Sequence, residues 1–284
     1  MTGFEITGAS AADMEMIRTW ADEEGWNPGD SDRFAFAVAD PAGFLVGRVD
    51  GEPVACISAV RYGSAFGFIG FYIARPAVRG QGYGIRLWHA GMERLDGRLV
   101  GLDGVVDQQD NYRKSGFRSA WNNVRYEGVP RVNGSSGAEA GVEVVDAGSL
   151  PFGQLAAYDR RFFPARRDAF LSAWTGLPGR TALAAVREGR LEGLGVIRPC
   201  SGASRIGPLY ASTPGIAAAL LHRLAEHTPD GAVAVDVPDA NPAATALLAG
   251  LGLAPSFEAA RMYTGAAPEV EVAGVYGVTS LELG

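Results

Sequence analysis

A glycine-rich segment joins an apolar strand to an amphipathic helix, and this segment constrains the fold more than any other part of the chain. The strand is predicted over residues 66–73, the glycines stand at positions 80, 82 and 84, and the helix is predicted over residues 82–95. Glycine lets the backbone approach an anion without obstruction by a Cβ atom, and the first amides of a helix point the positive end of its dipole at that anion. The segment therefore predicts a binding site for a diphosphate.

The spacing of this segment separates it from two other phosphate-binding motifs. A P-loop requires a Lys followed by Ser or Thr after its last glycine, and no such pair follows here. The glycines are not spaced as G-x-G-x-x-G, and the strand before them follows antiparallel strands instead of opening a βαβ unit. A tight strand-to-helix turn that binds no ligand remains an alternative interpretation.

The length of 284 residues exceeds the usual size of one domain and predicts two. Residues 131–141, RVNGSSGAEAG, show no periodic apolar pattern and are typical of a flexible linker. The predicted domains are residues 1–130 and residues 142–284. Because strands and helices follow in a similar order on both sides, we interpret the halves as diverged copies of one α+β unit with largely antiparallel sheets and flanking helices.

Hydrophobic periodicity and turn residues predict the elements of each half. In the first half they predict a helix over 11–24, with Ser10 as its N-cap, and strands over 44–48, 53–62, 66–73 and 100–106. In the second half they predict helices over 150–160, 167–174, 214–227 and 241–250, and strands over 142–145, 181–186, 191–197, 206–210, 232–237, 254–263 and 270–283.

Charge and hydropathy exclude several classes of partner. The net charge is −7 and the isoelectric point is near 5.1, so the chain has no basic field to attract a nucleic acid. The first ten residues lack the basic and apolar regions of a signal peptide, and no apolar run is long enough to span a bilayer. We expect a cytoplasmic monomer or homodimer that binds neither nucleic acid nor a membrane.

The cysteines and histidines predict no metal site. Cys56 and Cys200 lie in or beside apolar segments and are interpreted as reduced packing residues. The histidines at 89, 222 and 227 do not join Cys, Asp or Glu at the spacing of metal ligands.

The glycine segment resembles the acetyl-CoA loop of the GNAT superfamily of N-acetyltransferases. In that loop a Gln or Arg is followed, after two residues, by Gly, one residue, and Gly or Ala, and Arg79, Gly82 and Gly84 match it. The resemblance implies that the strand backbone at Phe71, Tyr72 and Ile73 pairs with the pantetheine arm of acetyl-CoA. It also implies that the pyrophosphate binds the amides of Arg79, Gly80, Gln81, Gly82, Tyr83 and Gly84.

A tyrosine later in the first half carries a second part of the resemblance. GNAT enzymes have a tyrosine four residues before a Gly-Phe pair, and Tyr112 stands four residues before Gly116 and Phe117. The resemblance places its hydroxyl near the sulfur of the cofactor. It implies that Tyr112 is the general acid that protonates the departing thiolate. A purely structural role for Tyr112 remains an alternative.

Nearly the whole chain resembles the tandem GNAT group that includes the YitH-type acetyltransferases. The similar segments include EEGWNPGDSD in the first half, DVPDANPAA in the second and GVTSLELG near residue 284. In this group the second domain lacks the glycine loop, and here IGPLYASTPGIAAALL occupies the equivalent place. The resemblance implies one cofactor site, with the second domain forming a wall of the acceptor pocket.

Acyl transfer to an amine requires a neutral nitrogen, so a carboxylate or a water chain has to remove a proton. In GNAT enzymes the first helix and the loop after it border the acceptor site, which makes Glu24 the candidate base. The candidate substrate contacts are Trp26, Asp30, Asp32, Gln108, Gln109 and Asp236. Solvated loop positions and helix caps remain alternative interpretations of these acids.

These observations together predict an acetyl-CoA-dependent N-acetyltransferase. The amine of a small molecule would attack the thioester directly in a ternary complex, and no metal would take part. Two other classes remain open: a non-catalytic acyl-CoA sensor, and an aminoacyl transferase on a doubled GNAT scaffold. The acidic charge argues against the second class, because such enzymes bind tRNA.

Overall fold

The computed structural model describes residues 3–131 and 139–284. Residues 132–138, the centre of the predicted linker, lie outside the described residues. The elements of the first half are β1 (Phe4–Gly8), α1 (Ala11–Glu23), α2 (Asp32–Ala39), β2 (Phe44–Val49), β3 (Glu52–Tyr62), β4 (Phe66–Ala74), α3 (Tyr83–Arg94), β5 (Leu99–Val105), α4 (Gln109–Lys114) and β6 (Arg118–Gly128).

The second half repeats the same order of strands and helices. Its elements are β7 (Val142–Asp146), α5 (Phe152–Asp159), α6 (Asp168–Gly176), β8 (Thr181–Arg187), β9 (Arg190–Arg198), β10 (Ser204–Ala211), α7 (Pro214–Ala225), β11 (Val233–Pro238), α8 (Pro242–Gly250) and β12 (Ala254–Tyr263), followed by the short strand β13 (Val275–Gly277).

Most elements predicted from the sequence are confirmed within a few residues of their bounds. The cap of α1 is a capping box, in which the Ser10 hydroxyl accepts from the Asp13 amide and the Asp13 carboxylate accepts from the Ser10 amide. The sequence did not predict β1, α2, α4 or β6. In β6 the polar side chains hide the strand pattern, because their partners lie in the other half of the chain.

The strand predicted over residues 270–283 is wrong for most of its length. Only Val275–Gly277 is a strand, and it pairs with β10. The residues that follow run through a crevice between the halves, where Leu283 and Glu282 are buried. Their apolar pattern therefore reflects burial between the halves and not strand pairing.

The strands form one continuous mixed sheet instead of one sheet per half. Its order is β1-β2-β3-β4-β5-β12-β6-β11-β10-β9-β8-β7, with β13 beside β10. Strand β12 of the second half lies between β5 and β6, and β6 of the first half lies between β12 and β11. The two halves thus exchange their last long strands, so each half completes the sheet of the other.

Two equivalent ion pairs join the exchanged strands to their hosts. Asp103 on β5 lies directly opposite Arg261 on β12, and Asp236 on β11 lies directly opposite Arg125 on β6. The closest contacts are 2.7 Å in the first pair and 2.8 Å in the second, and all four side chains are buried. Each guanidinium binds both carboxylate oxygens, a geometry that fixes the strand register.

Each half contains a place where two parallel strands separate. Strands β4 and β5 pair as far as Ile69 and Leu102 and then diverge. Just beyond, β4 forms a bulge in which Phe71 and Tyr72 face one residue of β3, and Phe71 adopts a φ of 46°. Such strain in a non-glycine residue is typical of a functional site. Strands β10 and β11 diverge in the same way after residues 206 and 235.

Candidate active site

The cleft between β4 and β5 opens into a cavity of about 650 Å³. The glycine segment lies at one end, and the point at which the two strands separate lies at the other. The lining residues come from the whole chain: Glu24, Trp26, Ile69, Gly70, Phe71, Tyr72, Ile73, Ala74, Val78, Arg79, Gly80, Gly82, Gly84, Ile85, Leu102, Asp103, Val105, Asp107, Gln108, Tyr112, Arg125, Phe257, Ala259, Leu281 and Glu282.

The glycine segment forms the start of α3 at the mouth of the cavity. Gly82 is the N-cap residue and has a φ of 84°, a left-handed conformation that favours glycine. The first amides of α3 have no carbonyl acceptor within the helix and are available to an anion. Arg79 lies beside them, with Nε donating to the Ala74 carbonyl at 2.9 Å. This end of the cavity can hold a diphosphate.

The edge of β4 beyond the bulge faces the cavity. Because β5 has diverged, the backbone of Phe71–Ala74 has no parallel partner strand on that side among the described residues. An extended ligand that carries amide groups can pair with this edge as another strand would. The predicted contacts at Phe71, Tyr72 and Ile73 therefore lie together along one wall.

Tyr112 projects from α4 into the same cavity. Its ring lies 5.4 Å from that of Trp88 and 6.4 Å from that of Phe117, and the residue is only 8% exposed. Burial, with a smaller contribution from the neighbouring Tyr72, raises the pKa of Tyr112 above that of an ordinary phenol. The hydroxyl therefore stays protonated at physiological pH, as a proton donor must.

The end of the cavity away from the glycine segment, here called the closed end, is built by both halves and carries aromatic and charged side chains. Trp26 comes from the loop after α1, and Phe257 and Ala259 come from the exchanged strand β12. The Arg125 guanidinium donates to the Trp26 carbonyl at 3.1 Å and lies 5.2 Å from the centre of the Phe257 ring.

Four carboxylates line the cavity, and two of them lie near its mouth. Glu24, the predicted base, pairs with Arg79 at 2.7 Å beside the glycine segment. Asp107 is exposed, in the turn between β5 and α4. Asp103 and Glu282 lie deeper, where Asp103 is held by Arg261 and Asn123. Sequence reasoning missed Glu282, because nothing in the order of residues brings position 282 close to position 70.

Several predicted substrate contacts are not brought to the cavity. Asp30 is exposed on the surface, and Gln109 bonds within its own segment. Asp32 is buried between Arg180 and Arg198, and Asp236 between Arg125 and Arg205. Both aspartates therefore hold structural ion-pair networks. Gln108 and Trp26 do line the cavity, whereas Gln81 and Tyr83 belong to the glycine segment but are not among the residues that line the cavity.

The equivalent cleft in the second half is filled by the chain itself. Strand β13 pairs with β10 beyond the point of separation, and the Val278 amide donates to the Asp236 carbonyl on β11 at 2.9 Å. The space left there is about 30 Å³, and residues of this tail line it. The tail then crosses to the first half, where a Cβ atom at position 70 would overlap the Glu282 carbonyl oxygen.

A carboxylate of the chain also occupies the start of α7, the counterpart of α3. Glu139 accepts a hydrogen bond from the hydroxyl of Thr213, the N-cap residue of α7, and pairs with Arg187 at 2.5 Å. The hydrogen bond from Thr213, opposed by burial and aided by Arg187, lowers the pKa of Glu139. The anion position at this helix is thus taken by a side chain.

Other predictions concern thiols, metals and membranes. Cys56 and Cys200 are free thiols, as predicted. In residues 3–131 and 139–284, no three His, Cys, Asp or Glu side chains are grouped as metal ligands. The helices in these ranges do not combine the length and apolar character that a membrane crossing needs.

Comparison with known proteins connects this cavity to a family. The model of the "Acetyltransferase (GNAT) family" matches residues 11–117, and that of an "Acetyltransferase (GNAT) domain" matches residues 155–277. Holothin acyltransferase of Pseudoalteromonas sp. (strain SANK 73390) is 31% identical over 277 residues, which cover 97% of this chain and 93% of that protein. The chain belongs to the GNAT family. It is a tandem GNAT acyltransferase, and enzymes of this family take an acyl-CoA as co-substrate and transfer the acyl group to amines.

Solved structures agree with this fold. A putative acetyltransferase from Pyrococcus horikoshii superposes with a TM-score of 0.82 at 23% identity, over 100% of this chain and 97% of that one. A tandem GNAT protein from the clavulanic acid biosynthesis pathway gives 0.64 at 16% identity, over 93% of this chain and 100% of that one. At these identities the likeness concerns the fold alone.

Proposed function

We propose that this GNAT protein transfers an acetyl or another short acyl group from coenzyme A to the amine of a small molecule. The amine attacks the thioester directly, in a ternary complex. The observation that carries the proposal is one cavity that runs from the start of α3 to a chamber lined by aromatic and charged side chains from both halves.

The two ends of the cavity bind different parts of the acyl-CoA. Within the segment from Arg79 to Gly84, the amides of Gly80, Gly82, Tyr83 and Gly84 bind the pyrophosphate, because those of Arg79 and Gln81 already donate to the Pro76 and Val78 carbonyls at 3.3 Å. The pantetheine arm runs along the edge of β4 from Ala74 towards Phe71. The pyrophosphate and the thioester stand at opposite ends of the pantetheine arm. With the pyrophosphate at the glycine segment, the thioester therefore lies at the closed end of the cavity. Tyr112 then protonates the thiolate as the carbon–sulfur bond breaks.

The closed end indicates the class of acceptor. Trp26, Phe257 and Leu281 offer aromatic and aliphatic surface in the cavity lining. Such a chamber favours an amine on a flat or apolar body over a flexible polyamine. The related protein named holothin acyltransferase makes holothin the first compound to test.

Two measurements test the proposal. Calorimetry should show that acetyl-CoA binds with one site per chain, and a thiol assay should show release of free coenzyme A when holothin or an aromatic amine is added. Spermidine and an aminoglycoside serve as comparison acceptors. Binding without thiol release for any amine would favour the sensor function, and a mobility shift with tRNA would favour aminoacyl transfer. Absence of acetyl-CoA binding would refute the proposal.

A further inference from the structure

Glu282 lies where the proposed reaction needs a proton acceptor. It lines the cavity at the closed end, and its backbone carbonyl rests against Gly70, the first residue of β4 after the last pair with β5. Its neighbour Leu281 also lines the chamber. The residue is 5% exposed, and a buried glutamate needs a charged partner, which here is Arg205.

The two oxygens of this carboxylate differ in their surroundings. Oε1 accepts from Arg205 Nη1 at 2.9 Å. Oε2 is buried and finds no hydrogen-bond donor within the described ranges 3–131 and 139–284. An unpaired buried carboxylate oxygen costs free energy, and in native proteins such a group usually has a functional explanation.

Arg205 holds this carboxylate in a balanced group of charges. Its other nitrogen, Nη2, donates to Asp236 at 2.6 Å, and Asp236 also pairs with Arg125. The group therefore contains two guanidinium cations and two carboxylates. Because Oε1 is fixed by Arg205, the carboxylate has a defined position, and Oε2 is the oxygen that has no donor within the described ranges.

The other carboxylates of the cavity are less suited to this role. Both oxygens of Asp103 are occupied by Arg261, and one of them also binds Asn123. Glu24 pairs with Arg79 at the mouth, beside the proposed pyrophosphate site. Asp107 is exposed to solvent. Of the four, Glu282 combines a place in the cavity lining with an oxygen that has no donor within the described ranges.

We propose that Glu282, supplied by the C-terminal tail, is the catalytic base that receives the proton of the acceptor amine, an inference that rests on the proposed function. The nitrogen lone pair forms the bond to the thioester carbon, and Oε2 takes the proton from nitrogen. When the carbon–sulfur bond breaks, the thiolate takes the proton of Tyr112. Glu282 passes its proton through solvent in the cavity, and the Tyr112 phenol is restored.

The test compares Glu282→Gln, Glu282→Asp and Glu282→Ala with wild type, using acetyl-CoA and the aromatic amine with the highest turnover in the thiol assay. We expect Glu282→Gln to lower kcat about 100-fold near neutral pH, the usual size of a general-base contribution. The loss should shrink as the pH rises well above neutral, because hydroxide then replaces the carboxylate as the acceptor of the proton on nitrogen. Glu282→Asp should restore part of the rate, and the affinity for acetyl-CoA should stay within about twofold.

Chemical rescue separates catalysis from folding. Glu282→Ala leaves room for a small carboxylate, so added formate should raise its rate at least about tenfold. Glu269→Gln, at an exposed glutamate nearer the start of the tail, is the control and should keep the wild-type rate and pH profile. If the Gln variant keeps the wild-type pH profile, if formate fails to rescue a folded Ala variant, or if Glu24→Gln alone removes the pH dependence, Glu282 is not the base. A wild type that binds no acetyl-CoA would instead refute the proposed function.

Discussion

The two clefts of this protein are formed by equivalent strands, but the first is open and the second is filled by the chain. In each, two parallel strands separate at a bulge, and a buried aspartate just beyond the last pair binds an arginine on an exchanged strand. The first cleft keeps a cavity of about 650 Å³ and the second about 30 Å³. Separated strands leave backbone groups that need partners. In the second half the tail supplies these partners permanently, and in the first half a ligand has to supply them.

Of the variants that test this comparison, substitutions of the two aspartates should have the largest effect. Asp236 binds two arginines and Asp103 binds one. We expect Asp236→Asn to lower the free energy of unfolding by about 3 to 5 kcal/mol, because it removes the negative charge that balances two buried guanidinium groups. Asp103→Asn should lower it by less, because only one guanidinium group loses its partner. Urea unfolding at neutral pH measures both. Equal losses would show that the second arginine contributes nothing.

The same pair should respond to acid in opposite ways. Burial opposes ionisation of Asp236, but Arg125 and Arg205 outweigh it and hold its pKa well below the ordinary 3.8. Its contribution to stability is present above that value and is lost as the pH falls through the lowered pKa. Burial raises the pKa of Asp103, so its contribution is present in acid and is lost as the pH rises. Relative to wild type, acid unfolding should be less steep for Asp236→Asn and steeper for Asp103→Asn.

Substitution in the glycine segment should weaken the binding of acetyl-CoA. It should lower the stability of the fold no more than the same substitution at a similar glycine outside the cavity. Gly82→Val places a branched side chain where a phosphate oxygen would bind, and we expect acetyl-CoA affinity to fall at least about 100-fold. Gly63→Val is the control, since Gly63 has a similar φ of 68° and open space around its Cβ position, outside the cavity. Both variants should lose about 1 to 2 kcal/mol of stability from backbone strain. Calorimetry that finds equal affinities would contradict the proposed pyrophosphate site.

Tyrosines in the open and the filled cleft should have separate effects. Tyr112→Phe should lower kcat roughly tenfold or more with little change in acetyl-CoA affinity, because it removes the proton donor. Tyr210, in the filled cleft, bonds through its hydroxyl to Arg167 at 3.1 Å and to Thr279 at 3.0 Å. Tyr210→Phe should cost about 1 kcal/mol of stability and leave kcat unchanged. Unchanged turnover in Tyr112→Phe would remove this residue from the mechanism.

The smallest expected effect concerns the carboxylate at the start of α7. Glu139→Gln removes a charge from a partly exposed helix start and should cost about 0.5 kcal/mol. Acetyl-CoA should still bind at one site per chain, because the tail continues to fill the second cleft. Thermal unfolding and calorimetry check the two statements. A second binding event in this variant would show that Glu139 alone closes the second site.

Local features of the site could be predicted from the sequence, and features that depend on distant partners could not. The glycine segment, α3 and the cap of α1 follow from residues that are adjacent or one turn apart. Asp236 stands near the end of a predicted strand, where the sequence predicts a substrate contact, yet it is buried by arginines from β6 and β10. The sequence favours Glu24 as the base because it stands next to α1, whereas Glu282 reaches the cavity only through the path of the tail. The domain boundary over residues 131–141 stays a prediction.

The exchange of β6 and β12 affects the order in which the nascent chain can fold. During synthesis the open edge of β5 has no neighbour until residue 263 has been added, more than 150 residues after β5 ends at Val105. The N-terminal half therefore cannot complete its fold before the second half has been synthesised, as N-terminal domains usually do. Its high contact order should also make refolding slow, and the waiting edge is the surface that a ribosome-associated chaperone would need to protect.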